Sequence, residues 1–107
     1  MAQTPLANSE LKLETETTSD EVIVRCIGKM IYGNCEVLRS TVHELGPESK
    51  RLVLDLKDTS YLDSFGLGVL VSVYLTARRE HRQLKLINVS QQAQQLLRIT
   101  NLIYLLE

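Results

Sequence analysis

The sequence predicts one α/β domain, a mixed β-sheet with helices packed against it. Three observations predict it. Two β-rich segments, Leu11 to Glu16 and Glu21 to Ile27, flank a turn-like Thr17-Thr18-Ser19-Asp20 and read as a hairpin. Arg51 to Leu56 is a nearly continuous apolar run, as in a central parallel strand covered on both faces. An apolar stretch at helical spacing then runs from near Ser64 to near Arg79. A chain of 107 residues suffices for a single core. The expected organisation is a flexible segment over residues 1–10, polar and containing Pro5, and a domain over 11–107.

Leu11 and Leu13 alternate with charge and read as an edge strand. The β-branched Val22, Ile23, Val24 and Ile27 make the second strand, which Gly28 is expected to close. Gly28-Lys29-Met30-Ile31 then reads as a loop. Asn34 is the expected N-cap of the first helix, whose apolar face is Cys35, Leu38, Val42 and Leu45, and Gly46-Pro47 ends it. In the long helix, at about 100° per residue, Leu67, Leu70, Val71, Tyr74 and Leu75 form the core face. Phe65, Val69, Ser72 and Thr76 fall opposite, with Val73 at their edge. Phe65 and Val69, four apart, predict an outward apolar patch beside Ser64.

Arg78, Arg79, His81 and Arg82 read as a solvated cationic helix end, which the helix dipole favours. Leu84 to Val89 is the next strand. Ser90 caps a short helix carrying Ala93, Leu96, Leu97 and Ile99, and Asn101 closes it in the left-handed conformation. Leu102 to Leu106 is a closing apolar segment, read as a last strand or edge.

The totals exclude several classes of function. A formal net charge of -1 gives no electrostatic case for nucleic acid or an anionic membrane. No apolar run approaches the ~20 residues that span a bilayer, and the first residues do not read as a secretory signal. Cys26 and Cys35 have neither disulfide-framework nor zinc spacing, so a cytoplasmic protein with reduced thiols is expected. His43 and His81 are isolated, with no metal motif around them, and no nucleotide-cradling loop is present, so no cofactor is expected. Ser64 lies in no Gly-x-Ser-x-Gly elbow, which argues against a hydrolase and for a protein that is not an enzyme.

The stretch that organises the chain is Tyr61-Leu62-Asp63-Ser64-Phe65-Gly66-Leu67-Gly68, where a strand hands over to a helix. The crevice beyond such strand ends is where open α/β sheets bind. Asp63 or Ser64 would cap the helix. Gly66 and Gly68 are poor helix formers and suggest close backbone packing or a partner's close approach.

Asp-Ser-x-Gly-Leu-Gly after a Val-Leu-Asp-Leu strand resembles the signature of STAS-domain proteins, above all the bacterial anti-sigma factor antagonists. The resemblance runs from about Leu11 to Leu106 and implies the STAS fold. It also implies a binding module that sequesters an anti-sigma factor with serine-kinase activity and is released when Ser64 is phosphorylated. A phosphatase would be a further partner. The family commonly has a second Ser where Phe65 stands. Its loop after the second strand typically reads Gly-Glu-Leu-Asp and touches the partner; here that loop is Gly28-Lys29-Met30-Ile31. The expected partner face is therefore Gly28, Lys29, Met30, Ile31, Asp63, Ser64, Phe65, Gly66 and Val69. The rival expectation is a constitutive STAS subunit of a lipid-transport ATPase or of a stress-signalling assembly.

Overall fold

In the computed structural model, which describes residues 11–45 and 51–106, one long strand organises the sheet. This strand, β2 (Glu21–Met30), pairs antiparallel with β1 (Leu11–Thr17) along one edge. Its other edge carries two strands end to end. Residues 21–25 pair in parallel with β3 (Arg51–Asp55), and residues 28–30 pair in parallel with β4 (Thr59–Leu62). Strand β5 (Gln83–Ile87) lies parallel on the far side of β3. Three helices complete the fold: α1 (Glu36–Leu45), α2 (Ser64–Arg79) and α3 (Gln91–Ile99), followed by a 3-10 turn at Ile103–Leu106. The architecture is the expected mixed α/β sheet with helices packed against it.

Alternation along the strands decides which side the helices cover. Val22, Val24 and Cys26 of β2 share one face with Leu52 and Leu54 of β3 and Leu86 of β5. Leu38 and Val42 of α1, four residues of α2, and Ala93 and Leu97 of α3 join them in one buried cluster. Each fully buried leucine contributes at most about 1.5–3 kcal/mol. Val53 faces the other way, buried but outside that cluster, and its face also carries the Arg25–Glu16 pair at 3.0 Å. The middle of β3 is thus buried on both faces, as expected, and among the described residues the helices gather over the face of Leu52 and Leu54.

The loop expected at Gly28–Ile31 is corrected: Gly28, Lys29 and Met30 belong to β2. Gly28 adopts φ 117°, and the pairing register shifts between Gly28 and Lys29. That irregularity lets β2 leave β3 and continue alongside β4. Thr59 Oγ1 donates to the Cys26 carbonyl at 2.7 Å, and Gly28 N–H donates to Asp58 O at 3.0 Å. The short connection before Leu62 is therefore itself a strand.

Asn34 precedes α1 but stabilises a turn. Its Oδ1 accepts from Ile31 N–H at 3.1 Å, and its Nδ2 donates to Lys29 O at 2.9 Å. Gly46-Pro47 and residues 1–10 lie outside the described residues.

Both later helices end alike. His81 (φ 60°) and Asn101 (φ 61°) take the left-handed conformation, and Arg82 and Leu102 donate back to Ala77 O and Leu97 O at 2.8 and 2.7 Å. This is the Schellman closure, foreseen at Asn101 and not at His81. It turns Arg82 inward to 5% exposure, so the expected solvated cationic end does not hold there. Leu102 to Leu106 ends in the 3-10 turn rather than a strand, and Ile99, expected on the apolar face of α3, is 79% exposed.

Candidate functional site

Ser64 is the first residue of α2 and is exposed. Asp63 is the N-cap: its Oδ1 accepts from Phe65 N–H and Gly66 N–H, each at 2.9 Å. Its Oδ2 accepts from Tyr32 N–H at 3.0 Å, which ties the turn after β2 to the helix start. Asp63 N–H donates to Met30 O at 3.3 Å, adding a backbone link between the same two segments. A side chain at Gly66 would collide with the Met30 carbonyl, so this glycine permits the close crossing. At Gly68 an added Cβ would meet nothing within 4 Å.

The space above Gly68 is a groove of about 560 Å³ between the start of α2 and the entry to α1. Ser64, Phe65, Gly68 and Val69 line it from α2, and Tyr32, Gly33, Glu36 and Arg39 from the other side. The Tyr32 and Phe65 rings meet at 4.8 Å, tilted by 57°, while remaining 73% and 57% exposed. Two large aromatic rings held together in solvent make an unusual apolar surface for a lone domain. The Arg39–Glu36 pair at 3.6 Å is exposed and contributes little stability. Burial pushes the neighbouring Cys35 thiol upward.

The expected partner residues are only partly brought together. Asp63, Ser64, Phe65 and Gly66 form the helix start, and Ile31, half-buried, adjoins it through the turn. Lys29 is exposed on β2, opposite Tyr61. Gly28 sits farther back, at the bulge. The Met30 side chain is fully buried and offers only its backbone. Val69 is 2% exposed, so the outward Phe65–Val69 pair is corrected: Phe65 projects and Val69 is floor. Leu75, expected in the core, is 51% exposed.

Tyr32, Gly33 and Arg39 were not expected at the site. A tyrosine in a polar Tyr-Gly-Asn turn was the available signal for the first two. Among the described residues there is no group of three or more His, Cys, Asp or Glu side chains that could hold a metal.

The sequence matches the STAS domain family model over residues 12–106. The chain belongs to the STAS domain family. This STAS protein is 30% identical, over 92 residues, to the anti-sigma-B factor antagonist of Bacillus subtilis, a match covering 86% of the chain and 84% of that relative. Among solved structures it resembles an anti-sigma factor antagonist from Mycobacterium paratuberculosis, with TM-score 0.75 and 18% identity over 86% of this chain and 79% of that one. It also resembles the Bacillus cell fate determinant SpoIIAA in its phosphorylated form, with TM-score 0.68 and 18% identity over 86% and 84%. At those identities the structures establish the STAS fold, which agrees with the mixed five-stranded sheet described above. No helix among the described residues is long and apolar enough to cross a membrane.

Proposed function

We propose that this STAS protein is an anti-sigma factor antagonist, a cytoplasmic binding module with no catalytic role of its own. It holds an anti-sigma factor kinase at the groove beside Ser64 and lets go when that kinase phosphorylates Ser64. The observation that carries the reading is the position of Ser64: exposed at the rim of a groove crowned by the Tyr32–Phe65 pair. The similarity to the Bacillus subtilis antagonist supports the same partner class. A phosphatase would reset the switch.

The hydrogen bonds at the helix start bear on how the switch acts. A helix N-terminus ordinarily welcomes an anion through its free amides. Here Asp63 already occupies Phe65 N–H and Gly66 N–H, and Leu67 N–H bonds to Asp63 O at 2.9 Å. A phosphate on Ser64 would add about -1.5 to -2 charges next to a carboxylate with those amides already taken. It therefore gains little within the domain. At an interface the same dianion costs several kcal/mol unless it is paired. Release of the partner, and not unfolding, is the expected result.

The test uses the kinase recovered with the protein from its own cells. Wild type is expected to incorporate one phosphate at Ser64, and Ser64→Ala none while still binding. Ser64→Asp should bind about tenfold or more weakly with an unchanged thermal midpoint. Phe65→Ala should also weaken binding about tenfold at an unchanged midpoint. Label elsewhere, or full-strength binding by Ser64→Asp, would sink the switch and leave a constitutive subunit.

A further inference from the structure

We propose that Gln92 of α3 is a positioning residue for Ser64: its carboxamide holds the end of β4 and, through it, the start of α2. This rests on the reading of Ser64 as the phosphoryl acceptor and extends it to a residue outside the groove. Met30 lies opposite Leu62 in the β2–β4 pairing, and Met30 O accepts from Asp63 N–H at 3.3 Å. Successive residues of a strand turn their backbone groups to opposite edges. The N–H and C=O of Leu62 therefore point away from β2, to an edge of β4 that pairs with no strand among the described residues.

Leu62 is 1% exposed, so solvent does not satisfy those two groups, and a buried backbone group without a partner is costly. Gln92 meets both. Its Oε1 accepts from Leu62 N–H at 3.1 Å, and its Nε2 donates to Leu62 O at 2.9 Å. A side-chain amide offers the same donor and acceptor as a peptide group, so Gln92 stands in for a neighbouring strand at one residue. Its base is firm. Ser90 Oγ caps α3 by accepting from Ala93 N–H at 3.1 Å, and Ala93 and Leu97 are buried in the core.

Leu62 leads directly into Asp63 and Ser64. A slip of the β4 end would carry Asp63 with it, and Asp63 holds the amides of Tyr32, Phe65 and Gly66. Met30, Tyr32 and Gln92 thus fix the helix start from three segments of the chain. Phosphoryl transfer needs that precision. The Ser64 oxygen must meet the γ-phosphorus of the kinase's nucleoside triphosphate in line; the bond to the leaving diphosphate breaks as the new P–O bond forms, and the hydroxyl proton is released. A misplacement of about 1 Å costs such a step up to about a hundredfold. Gln92 is not among the residues that line the groove, so its loss should slow the transfer and leave the binding surface in place.

The test compares Gln92→Met with Gln94→Met, each replacing a half-buried glutamine of α3. Methionine keeps the length of the side chain and removes both hydrogen bonds to Leu62. Gln94 is the control: its Nε2 donates to Val89 O at 3.0 Å, away from the start of α2. Each variant is expected to lower the urea midpoint. Only Gln92→Met should shift the backbone amides of Tyr32, Phe65 and Gly66 in NMR spectra of the free, isotope-labelled chain. Only Gln92→Met should lower kcat for phosphorylation of Ser64 by the co-purified kinase, by about tenfold, with KM unchanged. Unmoved cap amides in Gln92→Met overturn the assignment whatever the kinase does. So does an unchanged kcat, or equal slowing by Gln94→Met, which would mean a general loosening of α3. A wild type that takes up no phosphate would instead refute the switch, and the amide shifts would then decide alone whether Gln92 sets the helix start.

Discussion

Two glycines in one helix turn, Gly66 and Gly68, have opposite surroundings and should respond oppositely to alanine. A Cβ at Gly66 would collide with the Met30 carbonyl and lie 2.7 Å from Leu62 Cδ1. The carbonyl belongs to a paired strand and cannot retreat, so Gly66→Ala should cost about 1–3 kcal/mol or more. Gly68 faces open groove, so Gly68→Ala should stabilise the domain by up to about 0.8–1 kcal/mol through helix propensity. Urea unfolding of the two variants checks both signs. The same Gly68→Ala methyl would enter the groove, so a more stable variant that binds its partner less well is the expected combination. At this scale Asp63, Ser64 and Phe65 were legible from their order in the chain. Val69 and Leu75 were not, because a helical wheel has no knowledge of neighbours. Helix α1 packs beside α2 and shares a second cleft with Val73 and Thr76. The buried stripe Gly66, Leu67, Val69, Leu70, Val73 and Ala77 is accordingly rotated toward it.

Helix α2 starts where it does because one carboxylate caps it and also anchors the turn before α1. Asp63→Ala removes both functions, and a lost cap alone costs about 0.5–2 kcal/mol. Asp63→Asn keeps a carbonyl oxygen for Phe65 and Gly66 but turns an amide toward Tyr32 N–H, which can only donate. The expected stability order in urea is wild type, then Asn, then Ala. A Tyr32 amide that shifts in both variants would confirm that the turn is held from Asp63. The limits of α2 could be read from the sequence because cap, apolar period and cationic end agree. Strand β4 could not be read. It has four residues, with Thr59 and Leu62 buried and Ser60 and Tyr61 exposed, and it exists because β2 runs past β3 and needs a partner. The apolar Leu102–Leu106 segment misleads for a related reason: the left-handed turn at Asn101 redirects the chain into a 3-10 turn.

At the scale of the whole molecule, the buried thiol of Cys26 sets an alkaline limit. Burial, with Asp55 adding repulsion, pushes it from an ordinary 9.0 to about 12. Below pH 9 the thiol is protonated in both folded and unfolded chains and contributes no pH dependence. Between the two values the unfolded chain releases a proton that the folded one keeps, so stability falls as pH rises, by up to about 1.4 kcal/mol per pH unit. Cys26→Ala should flatten that limb relative to wild type, measured by urea midpoints at pH 8 to 11. Asp55 acts at the acid end. Its bond from Asn88, more than any other contact, holds its carboxyl below the ordinary value. That contribution is present above the unfolded value and lost as pH falls through the folded one. The long strand β2 also governs the order in which the domain assembles. Its hairpin with β1 joins residues as few as five apart, Thr17 with Val22, whereas Glu21 meets Arg51 and Met30 meets Leu62. Loop-closure entropy grows with separation, so the hairpin is the cheap first step and the two parallel ladders, with β3 and with β4, come after it. Asp63 and Ser64 follow β4 directly. The groove beside Ser64 is thus among the last features a refolding chain completes, and under the proposed function a half-folded chain would have no groove with which to engage a kinase.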